Sequence, residues 1–167
     1  LNLRRWARRV YSQNGEDGII EEIFARIGTV SKTFLEIGVE VGKECNTRLL
    51  MARGWTGTWF EGSEEFAAQA RNRFGNAVDV VNAFVTRDNI LGLLPDRELD
   101  LLSIDIDGND YWLWQQIPAA RARVVIVEYN ASHPPPRRWV MPYNAAHVWH
   151  RDNVFGASLA SLEALAK

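Results

Sequence analysis

Acidic and amide side chains recur where short apolar, β-branched runs of the sequence end. Such runs occupy 33–37, 57–60, 78–81, 101–106 and 124–127, and the polar residues at their ends are Glu36, Glu61, Asn82, Asp105, Asp107, Glu128 and Asn130. Simple turn formers are the usual residues after a strand. In an open α/β sheet, ligands bind outside the carboxyl ends of the parallel strands. The accumulation of carboxylates therefore predicts a binding site, although each acid alone is compatible with a helix cap.

The first apolar run leads into Gly38-Val-Glu-Val-Gly42. Gly38 permits a tight turn, and Gly42 lets the backbone approach a ligand at the start of the next helix. The spacing does not match the G-x-G-x-x-G dinucleotide fingerprint, which disfavours a nicotinamide-dependent oxidoreductase. Glu61 ends the second run roughly 20 residues later, where the acid of nucleotide-binding Rossmann folds accepts ribose hydroxyls. The alternative for Glu61 is a helix-capping acid before Ser63.

The acid-rich stretch 105–116 superficially resembles a calcium-binding loop, but it lacks the Gly and the bidentate Glu that such a loop needs at its sixth and twelfth positions. A divalent ion shared by Asp107, Glu128 and Asn130 is a stronger alternative. Hard oxygen ligands suit Mg²⁺, and a bound metal can acidify an acceptor hydroxyl. We favour a metal-free site in which these side chains cap helices and contact polar substrate groups.

Three histidines, His133, His147 and His150, follow the fifth run. An imidazole can take the proton from an acceptor hydroxyl, and His133 is our candidate general base beside Asp107 and Glu128. The alternative is that all three histidines are exposed loop residues. Two tryptophans at 139 and 149 flank the proline-rich stretch, where they either pack or stack on a sugar or flat acceptor.

Helical patterns separate the apolar runs, at 45–53, 64–74 and 111–117. Alternating strands and helices predict a doubly wound, Rossmann-like α/β fold with a mostly parallel sheet in the order 3-2-1-4-5. A leading segment, residues 1–28, predicts a helix that starts after Ser12 or Asn14 and stops at Gly28. The proline-rich stretch 130–150 predicts a stiff loop over the carboxyl edge of the sheet.

A single domain suits 167 residues, and the lack of an initiator Met predicts a truncated one, with two C-terminal strands missing after the helical pattern at 157–167. The single cysteine, Cys45, excludes an internal disulfide and a cysteine zinc site. No apolar run approaches the roughly 18 residues of a membrane span, and no signal peptide opens the chain. These features predict a cytoplasmic protein and leave its oligomeric state open.

The net charge is −2 and the pI about 6.0, so no basic field indicates a nucleic-acid partner. One basic cluster does occur, formed by Arg4, Arg5, Arg8 and Arg9 around Trp6. We interpret it as the solvated face of a short helix, with contact to phosphate or an anionic surface as the alternative.

Several strings in this order resemble a known family. TFLEIGVEVGKECNT resembles motif I of class I S-adenosylmethionine (SAM)-dependent methyltransferases, and WFEGS resembles their motif II. SQNGED, LDLLSIDIDGNDYW and VVIVEYN resemble the FkbM-like branch, which methylates hydroxyl groups of sugars and secondary metabolites. The resemblance runs from about Ser12 to Asn130. Glu40 and Val41 depart from it, because a small residue or Gly is common there, and this predicts a narrower cofactor loop.

The resemblance implies roles for the cofactor-binding candidates. Glu36, Gly38 and Gly42 would contact the methionine end of SAM, and Glu61 would bind its ribose. Asn82 and Ala83 would lie beside the adenine. Asp105 would lie near the sulfonium and amino group, and Gln13 would reach the cofactor from the N-terminal segment. The implied function is SAM-dependent O-methylation of a sugar or small-molecule hydroxyl. The alternative is a non-catalytic SAM- or nucleotide-binding regulatory domain of the same fold.

Overall fold

The computed structural model describes residues 2–167 and contains a five-stranded, fully parallel sheet. The strands are β1 (Thr33–Ile37), β2 (Thr56–Glu61), β3 (Asp79–Asn82), β4 (Leu99–Ile104) and β5 (Ala122–Val127). Their spatial order is β3-β2-β1-β4-β5, so the predicted order 3-2-1-4-5 is confirmed. The order reverses between β1 and β4, which is where a doubly wound sheet opens a crevice for a ligand.

The described residues form six α-helices, namely α1 (Glu16–Ile27), α2 (Arg48–Ala52), α3 (Glu64–Phe74), α4 (Ile90–Leu93), α5 (Asp110–Gln116) and α6 (Leu159–Leu165). Apolar residues of α1, α2 and α3 pack on one face of the sheet around Phe34 and Trp59. Residues of α4 and α5 pack on the other face around Leu35 and Ile104. Helices on both faces explain why the central strands are continuously apolar.

Several element boundaries differ from the sequence prediction, and β2, β3 and β5 are each offset by one or two residues at one or both ends. The second helix begins at Arg48 rather than residue 45, because the preceding residues form the loop that receives Glu36. Strand β4 ends at Ile104 rather than residue 106, so Asp105 directly follows it. The short helix α4 has no strong periodic pattern and was not predicted. Among residues 2–167, no helix combines the length and apolar character that crossing a bilayer requires.

An ion pair between Asp100 and Arg123 connects the amino ends of β4 and β5 to the segment before β1. Asp100 is fully buried in β4 and accepts hydrogen bonds from the backbone N–H groups of Val30, Ser31 and Lys32. The Arg123 guanidinium on β5 donates to the same carboxylate at 2.6 Å. Burial opposes the charge, but the guanidinium and the three N–H groups outweigh it and lower the pKa of Asp100.

The long connection between β5 and α6 contains no regular strand. A single antiparallel bridge joins Val140 to Ala157. At the start of the connection, the Asn130 side chain donates hydrogen bonds to the carbonyl oxygens of Asn153 and Phe155 at 3.0 and 2.9 Å. The start of the connection is therefore hydrogen-bonded to its end, and residues 147–149 between them pass beside the carboxyl edge of the sheet.

Candidate active site

A cavity of about 500 Å³ opens at the carboxyl ends of the strands. Eight of the residues selected from the sequence line it: Gln13, Glu36, Gly38, Glu61, Ala83, Asp105, Asp107 and Glu128. Gly42, Asn82 and His133 do not line it. The sheet topology thus brings together most of the polar strand ends, as expected at the switch point of a doubly wound sheet.

The loop after β1 has little room for substitution. Gly38 has φ +85°, and a Cβ there would lie 1.7 Å from the carbonyl oxygen of Asp105. Gly42, at φ +75°, faces the rings of Trp59 and Phe74, which a Cβ would approach within 2.8 Å. Gly38 is therefore required where β1 meets the end of β4. Gly42 is required for core packing, a reason that the sequence interpretation did not consider.

Glu36 is buried and stabilises the loop between β1 and α2. Its carboxylate accepts hydrogen bonds from the backbone N–H groups of Asn46 and Thr47 at 2.8 and 3.0 Å. Burial raises the pKa of Glu36, and these hydrogen bonds oppose that rise. The side chain therefore positions the start of α2 as well as forming part of the cavity wall.

Glu61 lies at the end of β2 with both carboxylate oxygens engaged by the backbone. One oxygen accepts from the Glu40 N–H at 2.7 Å and the other from the Ser63 N–H at 2.8 Å. Each carboxylate oxygen can accept a second hydrogen bond, so capacity for ligand hydroxyls remains. Asn82 does not line the cavity, and its side chain donates a hydrogen bond to the Glu61 carbonyl oxygen at 2.9 Å.

Apolar side chains form the wall beyond Glu61. Phe60, Ala83 and Val85 line the cavity from within, and Phe66 and Phe84 border it while remaining 38% and 49% exposed. Large exposed aromatic residues beside a polar anchor are typical of a site that takes a flat ring.

At the opposite end of the cavity, three carboxylates converge. Oxygen atoms of Asp105, Asp107 and Glu128 all lie within 4.8 Å of one another. Burial, then repulsion from Asp110 and the other acids, raises the pKa of Asp105 to about 7. Burial and repulsion from Asp105 raise the pKa of Glu128 to about 9. At neutral pH the cluster therefore retains protons, since adjacent acids cannot all ionise in a desolvated site.

Asp110 lies next to this cluster and was not among the site residues predicted from the sequence. It is fully buried at the start of α5 and accepts from the N–H groups of Ile106 and Gly108 at 2.8 and 2.9 Å. Burial raises its pKa, and the two hydrogen bonds oppose that rise. Asp110 holds the turn after β4, and it also repels the neighbouring acids electrostatically.

A divalent cation would find three oxygen ligands here, but not the set considered from the sequence. Asn130 is fully buried, and its side chain is occupied by the carbonyl oxygens of Asn153 and Phe155 and by the Ser132 N–H. Asp105 takes its place beside Asp107 and Glu128. Three carboxylate oxygens are the ligand type that Mg²⁺ accepts.

His147 enters the cavity wall, whereas His133 and His150 do not. The His147 Nε2 lies 3.2 Å from the carbonyl oxygen of Asp107, and a Cβ on Gly108 would lie 2.4 Å from the imidazole Cδ2. A carbonyl only accepts, so the neutral ring carries its proton on Nε2 and keeps a lone pair on Nδ1. Among the described residues, the hydrogen bond of this ring is made by Nε2, which leaves the Nδ1 lone pair available to a proton.

His133 is held away from the cavity. Its ring stacks on Trp139 with centroids 4.2 Å apart, and both ring nitrogens are buried without a hydrogen-bond partner among the described residues. Loss of solvation and the nearby Arg137 lower its pKa. The sequence placed three histidines after β5, but it held no signal for which of them the irregular connection would bring back to the sheet edge.

Gln13 lines the cavity, and Asp17 positions the segment that precedes it. One carboxylate oxygen of the buried Asp17 accepts from the backbone N–H groups of Val10, Tyr11 and Ser12 at 2.7 to 2.9 Å. The Ser12 hydroxyl accepts from the Asp17 N–H at the start of α1, but the residue at the N-cap position is Gly15, so the prediction of Ser12 or Asn14 as the helix cap is wrong. Asp17 thereby holds the segment preceding Gln13 against α1.

No protein-family model matches the sequence, and no curated protein matches it. Solved structures match it by fold. A Staphylococcus aureus protein provisionally assigned as a caffeoyl-CoA O-methyltransferase superposes with a TM-score of 0.54 at 16% identity, over 69% of this chain. The N-terminal domain of EvdMO1, with S-adenosylhomocysteine bound, gives a TM-score of 0.55 at 16% identity, over 93% of this chain and 70% of that one. The chain therefore shares its Rossmann-like fold with these two structures. The chain spans 57% of the length of the S. aureus protein.

Proposed function

We propose that this protein is a SAM-dependent methyltransferase of the FkbM-like type, which methylates a hydroxyl group of a sugar or another small molecule. The observation that carries the proposal is the cavity at the switch point of the sheet. It has the Glu61 carboxylate and an apolar aromatic wall at one end, and the carboxylates of Asp105, Asp107 and Glu128 at the other.

The lining residues fit the parts of SAM in turn. Glu61 retains hydrogen-bonding capacity for the two ribose hydroxyls, and Ala83 with Phe84 offers an apolar surface to the adenine. Asp105 presents negative charge to the sulfonium and amino group, and Gln13 borders the same space. When bound, SAM would supply a methyl group made electrophilic by its sulfonium.

The residues of this chain would have to align the acceptor hydroxyl and remove its proton. Asp107, Glu128 and His133 are the candidates that the sequence supplied, and His147 joins them because its Nδ1 is free to accept a proton. His147 borders the cavity together with Asp107 and Glu128. His133 would need the connection after β5 to rearrange before it could act. We therefore assign the general base to His147 ahead of His133.

Titration calorimetry with SAM, S-adenosylhomocysteine and NAD tests the cofactor assignment directly. We expect saturable binding of the first two ligands and none of NAD. Transfer of a labelled methyl group to a panel of sugars and phenols then separates an enzyme from the alternative, a non-catalytic SAM-binding domain. Binding of NAD in preference to SAM would refute the proposal.

We propose that transfer needs no metal, because the raised pKa values let the carboxylates share protons instead of a cation. EDTA should then leave the rate of methyl transfer unchanged. Loss of activity in EDTA that is restored by Mg²⁺ would assign an ion to Asp105, Asp107 and Glu128, the three acids that converge in the cavity.

A further inference from the structure

A second, open groove lies beside the cofactor cavity and shares a wall with it. Glu40 and Glu44 line both spaces. The other side chains of the groove include four cations and an aromatic ring: Arg9, Lys43, Arg48, Arg73 and Tyr11. Its charged side chains carry a net charge of +2, whereas the whole chain carries −2. The groove is therefore a local concentration of positive charge on an acidic protein.

Arg48 is the most constrained of these cations. Its guanidinium lies 4.3 Å from the ring centre of Tyr11 and 5.0 Å from that of Phe74, so two aromatic rings hold it. One of its nitrogens donates to the Lys43 carbonyl oxygen at 2.6 Å. Across residues 2–167, it forms no ion pair with a carboxylate. Most of its five N–H donors thus remain available, and little side-chain entropy is left to lose on binding.

Two further cations of the groove lack an acidic partner. Lys43 and Arg73 are exposed and form no ion pair within the described part of the chain, whereas Arg9 is paired with Glu44 at 2.6 Å. Three cations without an ion-pair partner therefore border one concave space, in which Glu40 is the one acid left unpaired among the described residues. Repulsion among them is relieved by a multiply charged anion more completely than by a single carboxylate.

We propose that this groove binds a phosphate group, with Arg48 as its central ligand. Phosphate matches the site in charge, because a dianion offsets the net charge of the groove, and in geometry, because guanidinium donors bind phosphate oxygens in pairs. The site is separate from the residues assigned to SAM. The phosphate is either the free inorganic ion or a phosphate monoester carried by a larger molecule.

Binding of inorganic phosphate and of glycerol phosphate to the full chain tests the proposal, by titration calorimetry and amide NMR shifts at low ionic strength. We expect saturable binding with shifts centred on residues 9–11 and 43–48. Tighter binding of the ester assigns the site to a phosphorylated molecule, and equal binding assigns it to the inorganic ion.

Variants then locate the site. Arg48→Met should weaken binding at least ten-fold, and Arg73→Gln, at an exposed position, should weaken it several-fold without threatening the fold. Arg26→Met is the matched control, because Arg26 is engaged by Glu22 on α1 and lies outside the groove. No saturable binding of either ligand, or an equal effect of Arg26→Met and Arg73→Gln, would overturn the proposal.

Discussion

The ionisation of Asp105 should control how tightly SAM binds. Burial and the neighbouring acids raise the pKa of Asp105 to about 7, so the group titrates in the range where a methyltransferase is assayed. A positively charged ligand beside the carboxylate favours its ionised form. Binding of SAM should therefore release a proton, and the affinity should rise with pH.

The size of this effect follows from the pKa. With a pKa near 7, Asp105 is about one tenth ionised at pH 6 and about nine tenths ionised at pH 8. If SAM binds only the ionised form, its association constant should rise about ten-fold between these values. Glu128, with its pKa raised to about 9, stays mostly protonated throughout this range and does not contribute to the rise.

Two variants isolate the group, with affinity measured by calorimetry at pH 6, 7 and 8. Asp105→Asn should remove the pH dependence that belongs to the protein and weaken binding at pH 8. Glu128→Gln imitates the protonated acid, so it should keep the rise. Any titration of SAM itself persists in Asp105→Asn and is subtracted. An unchanged pH profile in Asp105→Asn would refute the reasoning.

Three other perturbations test separate parts of the structure. Glu61→Ala should weaken SAM binding by about 1–3 kcal/mol, because charged hydrogen bonds to the ribose are lost; unchanged affinity in a folded variant would remove Glu61 from the site. Gly108→Ala should displace the His147 ring and lower the rate of methyl transfer while leaving SAM affinity intact, and an unaltered rate would contradict the role of His147. Asp100→Asn should destabilise the protein by about 1–3 kcal/mol, because Arg123 loses its charged partner and keeps only the carbonyl oxygens of Ile27 and Gly28. The lowered pKa of Asp100 means that the wild-type protein keeps this stability at neutral pH and loses it as the pH falls through that value, which urea unfolding at pH 7 and pH 3 would measure.

The regular part of the fold was predictable because its signals are local. Continuous apolar runs marked the strands, and β1 has the predicted bounds. Parallel strands with right-handed crossovers leave few arrangements, so the order of the sheet followed from the alternation of elements. The acids at the strand ends then had to share one edge, and Glu61, Asp105 and Glu128 do line one cavity, while their roles there stay predictions.

Residues whose position depends on the irregular connection were not predictable in the same way. His133 and His147 are the same residue type in the same connection, but only His147 folds back over Gly108. Asn130 follows a strand as the acids do, but its side chain does not line the cavity. It donates hydrogen bonds to the carbonyl oxygens of Asn153 and Phe155 instead. Tertiary contacts made by backbone carbonyls decide both outcomes, and a pattern of side-chain types does not encode them.

The connection after β5 borders the cavity with side chains that do not belong to the sheet. Asn130 and the Val140–Ala157 bridge hold its ends, whereas the exposed Val148 and Trp149 border the cavity from its middle. Mutations at this border should alter what the cavity admits without changing the strands or Glu61 and Asp105 at the sheet edge. Under the proposed function, exchanges at Val148 should therefore shift acceptor preference at little cost in stability, whereas Trp149 also donates to the Asp152 carbonyl oxygen and packs against Phe155.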